Sequence, residues 1–448
     1  MQKKVQIVSR DMVKISSSPS IIQHHEPHKL SFFDQLTPTT YIPIIYFYPV
    51  KNLSPSTLTS KLKIALLKTL NLYYPLSGRE TGNLYIDRFD QGVPFLEAQV
   101  SCSFSDFLKH HEPESLNNLL PCKPFSKETD KTNAPLIAVQ INFFTCGSGI
   151  ALGWCMSHKI LDAAASSNFS TTWASICRGD LHDVVEPDLE QASLYFPSPA
   201  TVPDNLISLM ENLWFVKGDY VTSRFVFNAK AIGALRAKAK GEAEEEPSRI
   251  QTLSCFIWKC GMAASKSISG TPKTSILVET MNLRPKTNPP MNDSSIGNLF
   301  WWAVAMANPA DTDSMKLNDL ASMVSESINL YKTDYTHSFQ GEKGFEMMSD
   351  FCEQLREVFT SEDTDIFAFT SWSKSAFTRP NFGWGEPYWV GVMGKPGQEF
   401  RNLTVFVDAK DGKAIEAWIT LEKQKMAILL QDPEFLEFAS PNPRFSSI

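Results

Sequence analysis

The sequence predicts an α/β fold of layered sheets and helices in two domains, and three observations carry that expectation. Segments with a period of two alternate with segments of helical apolar spacing along both halves, which favours mixed layers over an all-α or all-β architecture. At 448 residues the chain is longer than one hydrophobic core usually serves, so two domains of about 200 residues are expected. A stretch rich in proline and acidic residues at 185–204 (Pro187, Pro197, Pro199, Pro203) lies near the middle and suits a crossover. The expected division is residues 1–190, a linker at 191–219, and residues 220–448.

The first half begins with alternating residues 5–15, a strand, followed by a Ser/Pro loop from Ser16 to Pro19 and three close histidines, His24, His25 and His28. No Cys or carboxylate stands near those histidines at a ligand spacing, so no metal is expected there. Leu30-Ser-Phe-Phe-Asp34-Gln leads into the β-rich run at 41–48. Residues 57–73 repeat apolar positions at Leu58, Leu62, Ala65, Leu66 and Leu70, a helix that Pro75 and Gly78 end. Strands are expected at 83–87, 94–100, 136–144 and 150–156, the last two paired around Gly147-Ser-Gly149. Leu161, Ala165, Phe169, Trp173 and Ile176 then recur at helical spacing after Asp162.

The second half opens with a strand at 220–227 and a basic helix at 229–239, then an exposed acidic loop at 241–247. A buried helix is expected over 254–264, a strand at 275–280, helices over 313–359 broken near Gly341, and a strand at 366–372. Phe382-Gly-Trp-Gly385 reads as a glycine-bracketed aromatic turn, and Asp411-Gly412 turns a last hairpin, 403–408 with 415–421. No repeat of 20–50 residues is visible.

Composition excludes several classes. A hydrophobic share of 43% with 20% charged residues is that of a soluble globular protein, and a net charge of −7 offers no basic surface to nucleic acid. No apolar run reaches membrane-spanning length, and Met1-Gln-Lys-Lys-Val-Gln-Ile lacks the apolar core of a secretory signal. Eight scattered cysteines suit buried positions in a reducing compartment, so a cytoplasmic protein is expected.

Among groups capable of chemistry, His158 stands out, at the junction of the 150–156 strand and the following helix. Imidazole is both basic and largely unprotonated near neutral pH, although a lone histidine at a strand end is more often a satisfied core residue. Asp162, four positions on, either orients His158 from the same helical face or caps the helix that begins there. The apolar spacing that starts right after it favours the cap. No G-x-S-x-G elbow, P-loop or G-x-G-x-x-G turn occurs, so hydrolase, nucleotide-triphosphate and dinucleotide chemistry lack their signatures.

His158-Lys-Ile-Leu-Asp162 and Asn381-Phe-Gly-Trp-Gly385, the second lying about sixty residues from the end, together resemble the plant BAHD acyltransferase family with its H-x-x-x-D and D-F-G-W-G motifs. Leu30-Ser-Phe-Phe-Asp34-Gln, Tyr74-Pro-Leu-Ser-Gly-Arg79, Phe256-Ile-Trp258, Asn282-Leu-Arg284, Gly297-Asn298, Thr370-Ser-Trp372 and the 412–418 run agree with it, so the resemblance covers nearly the whole chain. The N-terminal segments most resemble its alkaloid-acylating branch. The resemblance implies two chloramphenicol-acetyltransferase-like α/β domains, with mixed sheets flanked by helices and an active-site channel at their interface. It implies acyl-CoA as co-substrate, acetyl-CoA above all, a small-molecule alcohol as acceptor, no metal, and a monomer. His158 would be the general base of a direct attack, and Trp372 and Thr370 would be donors to the oxyanion. Asp162 would be structural or orienting, paired with Arg284, and Ser254 would contact the coenzyme. Malonyl or hydroxycinnamoyl transfer, and a non-catalytic homologue of the same fold, are the alternatives. The chain departs from the family where Asn381 replaces Asp. That change keeps an acceptor oxygen and the turn but removes a charge, so the structural motif Asn381, Phe382, Gly383, Trp384 and Gly385 is expected to persist. Ala163 stands where the family more often has Gly.

Overall fold

The structure is a computed structural model and describes residues 4–15, 25–50, 54–110, 112–125, 130, 132–199, 202–242, 245–312, 314–330, 337–361, 363–394 and 402–444. The Ser16–Pro19 loop and His24 lie outside the described residues. Two large mixed sheets, each flanked by helices, organise the chain. The first has six strands in the order Val5–Val13, Val93–Val100, Ile137–Phe144, Ile150–Ser157, Tyr41–Tyr48, Trp389–Gly391, and only the Val93–Val100/Ile137–Phe144 pair is parallel. The second has seven, in the order Phe300–Ala307, Thr274–Asn282, Thr364–Ser371, Leu403–Asp408, Ile415–Glu422, Tyr220–Phe227, Ser440–Pro441. Its parallel pairs join Thr274–Asn282 to Thr364–Ser371 and Thr364–Ser371 to Leu403–Asp408.

Local chemistry accounts for the elements next to the site. Tyr41–Tyr48 is buried at every position, as a central strand covered on both faces requires, and aromatic and β-branched residues fill it. The helix Ala163–Arg178 starts where the Asp162 carboxylate accepts the Ala165 N–H at 2.9 Å, and ends at Gly179, whose φ of +82° suits a residue without a Cβ. The five-residue helix Phe32–Leu36, not anticipated as a helix, is set by a Ser31/Asp34 capping box.

The expected linker at 191–219 contains regular structure. It holds the helices Gln191–Tyr195 and Asp204–Trp214, and Leu206, Leu209, Met210 and Leu213 bury the helical face of the second. The prolines that suggested a linker precede this spacing and break only the approach to it. Strand and chain divisions also part company at Trp389–Gly391, which follows the second half in sequence yet pairs with Tyr41–Tyr48 of the first sheet. Accordingly one apolar cluster runs through both halves, holding Leu161 and Phe169 together with Leu299, Trp301 and Phe382. A second packs the far side of the seven-stranded sheet against Ala229–Lys240, Arg249–Ser269 and Leu317–Leu330. None of the seven described cysteines is in a disulfide, and five are buried.

One buried group disfavours folding. Glu279 is buried on the Ser254 side of the second sheet, with no hydrogen bond at Oε2, and burial raises its pKa to about 8. The folded chain therefore holds a proton between pH 4.5 and 8 that the unfolded chain has lost, and stability from this group falls as pH rises through that window. Glu279→Gln is expected to have no such slope. Urea midpoints of the two proteins should diverge in favour of the variant between pH 5 and 8, by an amount on the order of 1 kcal/mol per pH unit.

Candidate active site

Between the two sheets lies a cavity of about 390 Å³, with His158, Phe300, Thr370 and Trp372 in its wall. His158 follows the last residue of Ile150–Ser157, where its N–H donates to the Thr40 carbonyl at 2.8 Å, and the helix Ala163–Arg178 begins after one short turn. The ring is thus held between a rigid strand and a rigid helix while its edge reaches the cavity.

Its tautomer is set from the other half of the chain. Nδ1 lies 2.8 Å from Oδ1 of Asn298. The Asn298 amide nitrogen donates to the His158 carbonyl at 2.6 Å and to Oδ1 of Asp34 at 3.0 Å. Turning the amide over would put its oxygen against a carboxylate and a carbonyl, so Oδ1 faces the imidazole and must accept. Nδ1 therefore carries the proton, and Nε2 keeps its lone pair. Asp34 is fixed in turn: Oδ1 also accepts the Asn298 N–H at 2.7 Å, and Oδ2 accepts both Ser31 N–H and Ser31 Oγ–H. Lys159 donates to the carbonyls of Asp34, Gln35 and Thr37, and so ties down the C-terminal end of the Phe32–Leu36 helix. Gly297 makes this approach possible, with φ at +136° and a Cβ position 3.0 Å from the Ala192 Cβ. Burial lowers the pKa of His158, against a smaller upward pull from Asn298, so the ring is free base at neutral pH.

Asp162 makes no hydrogen bond to His158. Oδ1 accepts Ala165 N–H and Arg284 Nη2–H, and Oδ2 accepts Arg284 Nη1–H at 2.7 Å and Leu299 N–H at 3.0 Å. All four acceptor positions are filled, and Arg284 is 1% exposed. The carboxylate thereby joins helix Ala163–Arg178, Arg284 and the strand entrance at Leu299.

Trp372 and Thr370 both line the cavity. The indole N–H of Trp372 makes no hydrogen bond to the protein, and Thr370 accepts from the Thr280 hydroxyl at 3.1 Å, which leaves its own O–H free to donate. Ser254 is elsewhere. It is fully buried within Arg249–Ser269, on the side of the second sheet where Glu279 lies, and is absent from the cavity wall. The wall includes the turn after Thr364–Ser371, where Lys374 is exposed at φ +63°. Asp408 holds that turn by accepting the Lys374 N–H at 2.6 Å and the Ser373 hydroxyl at 2.8 Å.

The second motif lies outside the cavity wall. Oδ1 of Asn381 accepts the N–H groups of Gly383 and Gly385 at 2.9 and 3.0 Å, both glycines are left-handed, and Phe382 is buried edge-on to Trp173. The amide oxygen fulfils the turn that a carboxylate would otherwise serve. Among the described residues no cluster of three metal-ligating side chains occurs, and no helix is long and apolar enough to cross a membrane. Sequence reading assigned no role to Asp34 or Asn298, although both stood in recurrent short motifs. Ser31-Phe-Phe-Asp34 carries the S-x-x-D signal of a helix cap, whereas nothing adjacent to Asn298 in the sequence points to His158.

A sequence model of the Transferase family matches residues 3–436. Akuammiline synthase 2 of Alstonia scholaris is 35% identical over 447 residues, covering 98% of this chain and 97% of its own length. Limonoid 21-O-acetyltransferase of Melia azedarach is 33% identical, covering 98% and 99%. The crystal structure of vinorine synthase superposes with a TM-score of 0.80 at 30% identity, covering 98% of this chain and 99% of that one. The fold is also that of F. sporotrichioides TRI101 complexed with coenzyme A and T-2, at a TM-score of 0.71 and 17% identity over 94% of this chain and all of that one.

Proposed function

Because the chain belongs to the BAHD Transferase family, acyl-CoA-dependent O-acyltransferases, we propose that His158 is its general base and that it moves an acetyl group from acetyl-CoA to a hydroxyl of a polycyclic plant metabolite of the alkaloid or limonoid kind. The observation that carries this reading is the Asn298 hydrogen bond, which leaves Nε2 as the proton acceptor in a cavity between the two sheets.

In the proposed reaction the acceptor oxygen attacks the thioester carbonyl as Nε2 takes its proton. The carbonyl oxygen becomes an oxyanion toward which Trp372 Nε1–H and the Thr370 hydroxyl are the available donors. The intermediate collapses with cleavage of the C–S bond, and the proton on Nε2 goes to the departing sulfur. The attack is direct, and no acyl-enzyme forms. Lys374 at the rim is the candidate contact for the coenzyme's phosphates. Asp162 and Arg284 act structurally, holding the strand entrance at Leu299 against the base. We place the protein as a cytosolic monomer, a reading supported by cysteines that form no disulfide among the described residues.

Hydroxycinnamoyl transfer to an acidic acceptor is less well served. The one arginine in the cavity wall is consumed by Asp162, and Lys374 sits on the exposed rim. Acetyl-CoA incubated with a panel of alkaloid and limonoid alcohols should release free CoA and yield products heavier by one acetyl group. An absence of both would overturn the reading in favour of a non-catalytic homologue.

Asn298→Ala is expected to lower kcat by roughly ten- to a hundredfold, because the Nδ1–H bond becomes charge-assisted as the ring gains its proton, worth about 1.5–3 kcal/mol. The same bond pulls the His158 pKa up, so its loss should move the acid limb of kcat/KM to lower pH. An unchanged limb alongside the rate loss would mean that Asn298 serves only the fold.

A further inference from the structure

The cavity wall contains four ionisable side chains among its described residues: His158, Asp162, Arg284 and Lys374. Asp162 has no acceptor position left, since Arg284, Ala165 and Leu299 occupy all four, and Arg284 is bound to it through both Nη atoms. His158 is the lowered-pKa base, and Lys374 is positive. Among the described residues, no free carboxylate therefore meets a cation inside this cavity. From this we infer that the acceptor is bound uncharged: a non-basic polycyclic alcohol, or an amine alcohol only as its free base. The inference rests on the proposed function for the identity of the site and specifies the ionisation state and class of what that site takes.

Four aromatic side chains of the wall, Phe33, Trp214, Trp301 and Trp302, are packed on one another. Trp301 and Trp302 stack on each other with centroids 4.5 Å apart, Trp214 stands edge-on to Trp302 at 5.5 Å, and Phe33 is packed between Phe32, Phe196 and Trp301. A cation–π site needs ring faces turned toward one point, whereas these rings face one another. Carboxylates do lie nearby, but not in the wall. Asp34 is committed to Ser31 and Asn298, next to Lys159, while Glu80 and Glu211 line a neighbouring cavity that shares only Leu36, Thr37 and Pro38 with this one. An ammonium placed against His158 would thus lose its hydration without gaining a counter-ion, and would shed its proton instead.

The test compares three probes: a polycyclic tertiary-amine alcohol, its N-methyl quaternary salt, and a carbocyclic alcohol of the same shape. Binding is read by quenching of tryptophan fluorescence, which needs no turnover, and acetyl transfer is followed in parallel with acetyl-CoA. Affinity for the amine should rise tenfold per pH unit up to the amine's own pKa. Affinity for the carbocycle should be flat over that range, and the quaternary salt should bind at least a hundredfold more weakly than either. Equal binding of the quaternary salt, or a flat profile for the amine through its pKa, overturns the inference and would point to Glu80 and Glu211. Selective binding without acetyl transfer would sink the proposed activity while supporting the uncharged acceptor.

Discussion

His158→Ala is expected to lower kcat for acetyl transfer by roughly 10²–10⁴-fold, the contribution of a positioned general base. The fold should survive. The His158 side chain reaches the cavity, its recorded side-chain hydrogen bond is to Asn298, and the backbone contact to Thr40 is untouched by the change. Thermal midpoints of the variant and the parent should therefore agree within a few degrees. The pH profile supplies an independent check. Burial holds the His158 pKa below 6.5, so the parent should keep full activity across neutral pH and lose it only as acid protonates Nε2. The alanine variant has no such group, and its residual rate should lack that acid limb. Turnover near the parent's level in a well-folded His158→Ala protein would end the mechanism.

Why the junction at His158 could be read in the sequence and the contacts around it could not is a matter of distance along the chain. The strand-to-helix junction is local: an apolar run, a polar break, then helical spacing from Asp162, each readable from adjacent residues. The imidazole's partner is 140 residues away, and that partner's anchor is a further 264 residues from it, on the opposite side of His158. Periodicity carries no information about which strand end meets which. The same limit explains Trp389–Gly391, whose three residues are too few to show alternation and which joins the first sheet only because the chain returns there. Phe300–Ala307 was missed for another reason. Its Phe-Trp-Trp-Ala opening lacks polar alternation because the site end of the strand is buried among aromatic side chains. Ser254 lies in a helix that the sequence reads as buried, and the structure buries it completely. Asn381 could be judged from its own chemistry: the turn needs an acceptor oxygen, not a charge, and an amide supplies one.

Asp162→Ala is expected to act on stability before catalysis. Arg284 is 1% exposed, and its two bonds to Asp162 hold its charge in the interior. Removing the carboxylate strands that guanidinium, a change that costs about 3–5 kcal/mol, and also deletes the cap of Ala163–Arg178, worth about 1 kcal/mol. Asp162→Asn keeps the acceptor oxygen for the cap but not the charge, so it should fall between the alanine variant and the parent in urea midpoint. Arg284→Met in the Asp162→Asn background should recover part of the loss, because neither charge is then buried alone. Whatever fraction folds should retain most of its turnover, since Asp162 touches Leu299 and not the imidazole; the effect on His158 passes through Asn298 next door. Specific activity per folded molecule, with the folded fraction taken from the denaturation curve, separates the two roles. A fully folded Asp162→Ala protein with a loss matching that of His158→Ala would move Asp162 from the scaffold into the reaction.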